Sequence, residues 1–166
     1  MRGSFVGSNA FSVDVSDIRD YARELGGPQV DRIVTGELTT AGHKSGGHVK
    51  RLAATFIKSH TGRLAKDVAI TTKVSSSAIV TDVEWRARSA RGFAYSRTVH
   101  DGRGPVVARK AKALHFFIDG QEFFRKRVGP AKGTKFADKG LIAAETAIVA
   151  EHQRAADRIA GRIEAL

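Results

Sequence analysis

Cysteine is absent from the 166 residues. That excludes a disulfide framework and any thiolate-held metal, and it suits assembly in a cytosolic environment. No run of 18 apolar residues occurs, and the start Met1-Arg2-Gly3-Ser4 lacks an apolar stretch, so neither a membrane span nor a signal peptide is expected. No internal repeat and no low-complexity linker interrupts the chain. Acidic residues are scarce: 17 Asp and Glu stand against 28 Lys and Arg, for a net charge of +11 and a pI near 10.4. Such a balance favours acidic partners, whether nucleic acid, an anionic membrane or the acidic face of another protein. The remaining composition, 42% hydrophobic and 27% charged, is that of a globular chain and not of a disordered one. The length supports one core, so a single domain over residues 1–166 is expected, with residues 1–10 a flexible N-terminal segment.

Catalytic signatures are equally thin. His60, His100 and His115 are scattered between elements, and no histidine pair at i, i+4 flanks a glutamate as a helical zinc site requires; they read as surface or interface histidines. Asp17 and Asp20 fall in the first turn of a helix, where negative charge complements the helix dipole, and Asp101 and Asp119 belong to turns. Residues 129–135, Gly-Pro-Ala-Lys-Gly-Thr-Lys, miss the phosphate-loop spacing because Thr134 displaces the lysine that should follow the second glycine. No catalytic residue, cofactor site or metal site is therefore expected.

What the sequence does contain is periodicity. Phe11, Val13 and Val15 alternate as a strand, and Ser16 is the expected N-cap of a helix through Ile18, Tyr21, Ala22 and Leu25, stopped by Gly26-Gly27. Pro28 suits the first turn of a second helix, whose apolar face runs from Val30 through Val34, Leu38, Ala41, Val49 and Leu52 to Phe56. Gly42, Gly46 and Gly47 each weaken it by roughly 1 kcal/mol relative to alanine. The segment 43–48 is accordingly a kink, a break or a place where another backbone comes close. After Gly62 the period changes to two: residues 68–74 and 79–85 form a hairpin with Ser75-Ser76-Ser77 at its tip. Residues 92–100 form a short helix or turn closed by Asp101-Gly102. Residues 113–118 and 122–128 flank Asp119-Gly120 as a second hairpin, and Leu141, Ala144, Ile148, Ala155, Ile159, Ile163 and Leu166 mark a long C-terminal helix. The expected class is α+β, a mostly antiparallel sheet of two hairpins packed with a long helix of the N-terminal half and a long C-terminal helix.

Basic residues concentrate between the first hairpin and the last helix. Arg86, Arg88, Arg91, Arg109, Lys110, Lys112, Arg125, Lys126 and Arg127 are the candidate partner-facing or DNA-facing residues, with Arg97 and Arg103 among them in sequence. Trp85, Phe93, Tyr95, Phe116, Phe117, Phe123 and Phe124 accompany them. Most of these are expected to fill a core, with one ring of each Phe-Phe pair left for an interface or for base stacking.

The helix ending at Thr61-Gly62-Arg63-Leu64, the serine-tipped hairpin, the aromatic turn from Tyr95 to Gly102, the Phe-rich hairpin, and Gly129-Pro130 leading through Phe136 and Ala137 into the last helix together resemble one family. It is that of the small tail-completion or head-to-tail connector proteins of siphophages, tail terminators of the neck included. The resemblance covers roughly residues 11–155 and rests on the order and spacing of short motifs. It implies a tail-tube or terminator-like fold and a non-enzymatic virion structural role. Protomers would form a ring, six-fold by resemblance, that completes the tail. Implied partners are further copies of the chain, a connector, stopper or portal-side protein, the tail tube protein and genomic DNA in the lumen. Localisation would be the virion neck, after assembly in the host cytoplasm. Thr61, Gly62 and Leu64 would be a structural joint, Gly62 adopting a backbone conformation closed to other residues, Thr61 capping it and Leu64 anchoring the strand. The alternative, carried by charge and aromatics alone, is a stand-alone basic nucleic-acid-binding protein.

Overall fold

The computed structural model describes residues 8–57, 62–88, 92, 95–109, 112–118 and 121–166. Thr61, Arg91 and Lys110, together with His60, Phe93 and the Asp119-Gly120 turn, lie outside the described residues, as do the side chains of Phe116 and Phe117.

Strict alternation produces the sheet. Strands β1 (Ser8–Asp14), β2 (Val68–Val74) and β3 (Ala78–Trp85) pair antiparallel in the order β1-β3-β2. In this register Phe11 and Thr72 both oppose Thr81, and Val13 and Val74 both oppose Ile79, so every second residue of all three strands faces the same side. The serine tip closes the β2–β3 hairpin as expected: the Ser75 hydroxyl accepts the Ala78 N–H at 3.0 Å and donates to the Ala78 carbonyl at 2.9 Å. Strand β1 starts three residues ahead of the alternation that marks it, taking in Ser8 to Ala10 of the segment expected to be flexible. Its backbone ladder with Asp82, Val83 and Glu84 continues irrespective of side-chain pattern.

Helix α1 (Ser16–Leu25) corrects the expected cap. Ser16 is helical and Val15 holds the N-cap position, while the Asp14 carboxylate just before it accepts both the Ser16 N–H at 2.9 Å and the Ser16 hydroxyl at 2.7 Å. Those two bonds, the backbone one first, hold the Asp14 carboxyl below the usual carboxylate range. Gly26 and Gly27, with φ of 70° and 91°, then turn the chain into Pro28 and helix α2 (Pro28–Thr55). This helix runs unbroken through its glycines, and what comes close at Gly42 and Gly46 is side chains of the sheet, not the expected second backbone. A Cβ on Gly42 would lie 2.4 Å from Thr72 Cγ2, and one on Gly46 2.5 Å from Ile70 Cγ2, so the helix rests directly on β2 and β3. Gly47 meets nothing within 4 Å.

A single turn, α3 (Arg63–Lys66), leads into β2. The C-terminal helix α5 (Phe136–Glu164) lies antiparallel on α2: Gly140 meets Ala53, His48 meets Glu151, and Glu37 meets Arg158 and Arg162. Two apolar cores result. One joins Val49, Ala53, Leu64, Val83, Trp85, Phe136 and Ile148; the other joins Val15, Val34, Leu38, Ile79 and Ile159. The class is α+β, as the periodicity indicates.

The second hairpin is the end of something longer. Helix α4 (Ser96–Asp101) is followed by β4 (Gly102–Arg103), β5 (Val106–Val107) and β6 (Leu114–Ile118) going out, and by β7 (Gln121–Arg125), β8 (Arg127–Val128) and β9 (Ala131–Lys132) coming back. The ladders β4–β9 and β5–β8 share one register, Gly102 opposite Lys132 and Val107 opposite Arg127. At the tip Leu114 is opposite Arg125, and the Ala108 N–H donates to the Lys126 carbonyl at 3.0 Å, so the register shifts between the β5–β8 and β6–β7 ladders. The ladders thus succeed one another along one interrupted two-stranded arm, and at ~3.3 Å per residue its return strand, residues 121–132, has a contour of roughly 40 Å. The two predicted hairpins therefore belong to separate ladders: the first joins β1 in the sheet, and the second tips the arm.

Candidate functional site

Glycine geometry fixes the base of the arm. Gly102, at φ 86°, would with a Cβ meet the Ala131 carbonyl oxygen at 2.4 Å, and a Cβ on Gly133 would meet the His100 carbonyl oxygen at 2.3 Å. With both strands this close, Thr134 N–H and hydroxyl donate to the Val99 carbonyl at 2.9 and 3.0 Å, and the Lys135 N–H donates to the His100 carbonyl at 3.0 Å. The segment 129–135 that fails as a phosphate loop is thus a backbone splice between α4 and α5.

His100 locks that splice. Contrary to the expected surface histidine, it is 5% exposed. Its Nδ1 lies 2.9 Å from Asp101 Oδ1 and its Nε2 3.4 Å from Asp138 Oδ2, and its ring meets Phe136 edge-on at 5.3 Å. Lys135 Nζ donates to Asp101 at 2.6 Å, and this bond first, then His100, holds the Asp101 carboxyl below its usual range. Phe136 in turn packs edge-on against Trp85 at 5.2 Å. Arm, final helix and sheet are thereby fastened at one point. Sequence reasoning could see His100 beside Asp101; it could not see Asp138, which is brought up by α5.

The other predicted residues divide by location. Gly62 has a left-handed φ of 62° and its carbonyl accepts the Ala65 and Lys66 N–H groups, while Leu64 is buried in the core beside Trp85. Arg86 pairs with Glu84 at 2.7 Å, and Arg88 Nη1 donates to the Gly92 carbonyl at 3.1 Å; both lie between the sheet and α4. Arg109, Lys112, Arg125, Lys126 and Arg127 lie exposed on the arm, the first two between β5 and β6. Arg125 also covers the Phe123 ring at 5.9 Å. Arg103 adds a role the pattern did not single out: its Nη1 donates to the Gly129 carbonyl at 3.1 Å and so ties the arm's two strands.

At the tip one ring of the second Phe-Phe pair is left outside, as expected. Phe124 is 56% exposed and stacks flat on His115, with ring centres 4.7 Å apart, and His115 Nε2 lies 2.6 Å from Glu122, while Phe123 is half-buried. Among the described residues β6 and β7 have no broad contact with any other element. Charge follows the same division. Residues 86–135 hold 13 Lys and Arg and three Asp and Glu, a local +10 of the chain's +11, so the helix–sheet body is close to neutral.

Among the described residues no group of three or more His, Asp and Glu side chains is placed to hold a metal ion, and no helix is long and apolar enough to cross a membrane. The arrangement offers an anchored cationic arm carrying an exposed aromatic tip. Comparisons of the chain with protein-family models, with curated proteins and with solved structures yield no match.

Proposed function

We propose that the protein is a virion structural protein of the bacteriophage neck. It forms a ring that completes or terminates the tail and joins it to the head connector, without catalysis or cofactor. The observation that carries this reading is the segregation of charge: nearly all of the net positive charge lies between the sheet and α5, most of it on the arm, while both cores lie in a nearly neutral body. A body of this kind supplies shape, and a cationic arm supplies long-range attraction to an acidic neighbour and fixes orientation on contact. That neighbour is the tail tube, a connector, stopper or portal-side subunit, or the DNA in the lumen. Distinct surfaces on the body and the arm of one protomer also suit the heterologous contacts from which rings are built.

Imaging of the assembled particle tests the position, with ring density expected between portal and tail tube. Charge reversal at Arg125 and Arg127 tests the arm: loss of particle assembly or of DNA retention is expected, and particles indistinguishable from the parent would overturn the role given to it. The same charge, with Phe124 exposed on the arm, favours a second reading as a stand-alone nucleic-acid-binding protein. Binding of DNA or RNA with a steep salt dependence and no ring formation would select that reading.

A further inference from the structure

We propose that the tip of the arm docks, in a second copy of this chain, in the groove between β1 and α5; the inference rests on the ring reading and supplies its contact. The groove has a volume of about 320 Å³ and is lined by Phe11 and Val13 of β1 and by Leu141, Ile142 and Val149 of α5. That volume lies at the small end of the range for binding clefts and suits one or two inserted side chains. Its walls are not scattered surface apolars. Ile142 is 73% and Val149 64% exposed, they stand two turns apart on one face of α5, and the adjoining strand β1 is the edge of its sheet, with no lysine or proline along it. Glu145 is the one charged residue lining the groove, and among the described residues it forms no ion pair.

The arm tip is the complement of this surface. Phe124 is exposed; Arg125 lies on the other face of β7 over Phe123, and Lys126 comes next, so an aromatic side chain enters an apolar slot while Lys126 reaches the solitary carboxylate at its side. Among the described residues the tip strands β6 and β7 have no broad contact with β1 or α5 of their own chain, and the complementary surface available to the groove is that of a second copy. Tip and groove are different surfaces, which makes the contact heterologous: repeated from copy to copy it closes a ring or runs on as a filament.

Sedimentation velocity of the full chain at rising concentration and physiological salt tests the contact. The parent is expected to associate. Phe124→Ala should weaken association tenfold or more, as for a central aromatic anchor. Glu145→Lys and the double change Arg125→Glu/Lys126→Glu should each weaken it, and their combination should recover most of the loss, because the swapped charges pair again. The proposal is overturned by a parent that stays monomeric, by association indifferent to all three variants, or by absence of recovery in the charge swap. It is likewise overturned if the Arg125→Glu/Lys126→Glu variant loses nucleic-acid binding while associating normally, which makes nucleic acid the occupant of the tip. A ring seen in the neck together with indifferent variants sinks the docking alone; variant-sensitive association together with no neck density sinks the neck reading alone.

Discussion

The helix–sheet body and the arm over residues 102–132 are held by different forces. In the body, α2 lies so close to β2, β3 and α5 that glycine is required at positions 42, 46 and 140, and the centre is filled by Leu38, Val49, Phe136 and their neighbours. Among the described residues of the arm Val106, Val107 and Phe124 are exposed, and what holds its strands together is backbone ladders, the Arg103 tie and the splice around His100. Burial is what makes a region stable, and lack of burial is what leaves side chains free for a partner. The body is therefore a platform, and the arm is the part whose energetics are completed elsewhere.

The sharpest way to break this contrast is at the residue belonging to both. Phe136→Ala removes the ring that joins Trp85 to His100, and a loss of about 3–5 kcal/mol in urea unfolding is expected, with the arm base loosened at the same time. Gly140→Ala acts on the body alone: the new Cβ would lie 2.5 Å from Ala53 Cβ and 2.6 Å from its Cα, and a loss of about 1–3 kcal/mol should follow as the helices part.

Glu37 gives the body an acid sensitivity. The hydrogen bond from Arg158 chiefly, then Arg162, keeps its carboxyl below the ordinary glutamate range, against the opposing effect of burial. A carboxylate depressed in the folded state stabilises fully above its unfolded value of about 4.3, and the contribution is lost as pH falls through the depressed value. Glu37→Gln should cost about 1–2 kcal/mol at neutral pH, with the difference from the parent shrinking as denaturation is measured at progressively lower pH.

Gly47→Ala should change the sign, raising stability by about 0.5–1 kcal/mol, because this helical glycine has open space where Gly42 and Gly46 have the sheet. The smallest effect belongs to the arm. Reversing Arg125 and Arg127 should move the unfolding midpoint by no more than the equivalent of about 0.5 kcal/mol. Trypsin should cut the native protein first at Arg109, Lys112, Lys126 or Arg127, leaving the body intact; first cleavage within α2 would contradict the division drawn between the two regions.

Much of the architecture is legible in the residues. The step-of-two pattern in residues 68–85, Pro28 after paired glycines, and the three- and four-residue steps in the last helix each state a local geometry that burial then enforces. Other features escape such reading. Ser16 looks like a cap until the carboxylate of nearby Asp14 takes its N–H and hydroxyl, and His100 looks exposed until Asp138 and Phe136 arrive from α5, far along the chain. A Phe-Phe pair on a strand leaves one ring on each side, but which ring stays exposed depends on what covers the hairpin, and Phe124 is the exposed one. The basic residues are visible as a cluster, but their separation from the neutral body emerges only once the return strand is paired with the outgoing one.

The Thr61-Gly62-Arg63-Leu64 step shows the same boundary at small scale. A glycine ahead of a leucine and an alternating strand marks a change of backbone direction, and Gly62 has the left-handed φ that such a change uses. Periodicity, backbone sterics and composition suffice for the long helices, the strands of the three-stranded sheet and the sign of the charge; they do not reach α3 or the short ladders of the arm. That the glycines of α2 are contact points, that His100 is a lock and that residues 102–132 are one arm comes from the fold alone, because each depends on which distant surfaces come within a few ångströms of one another.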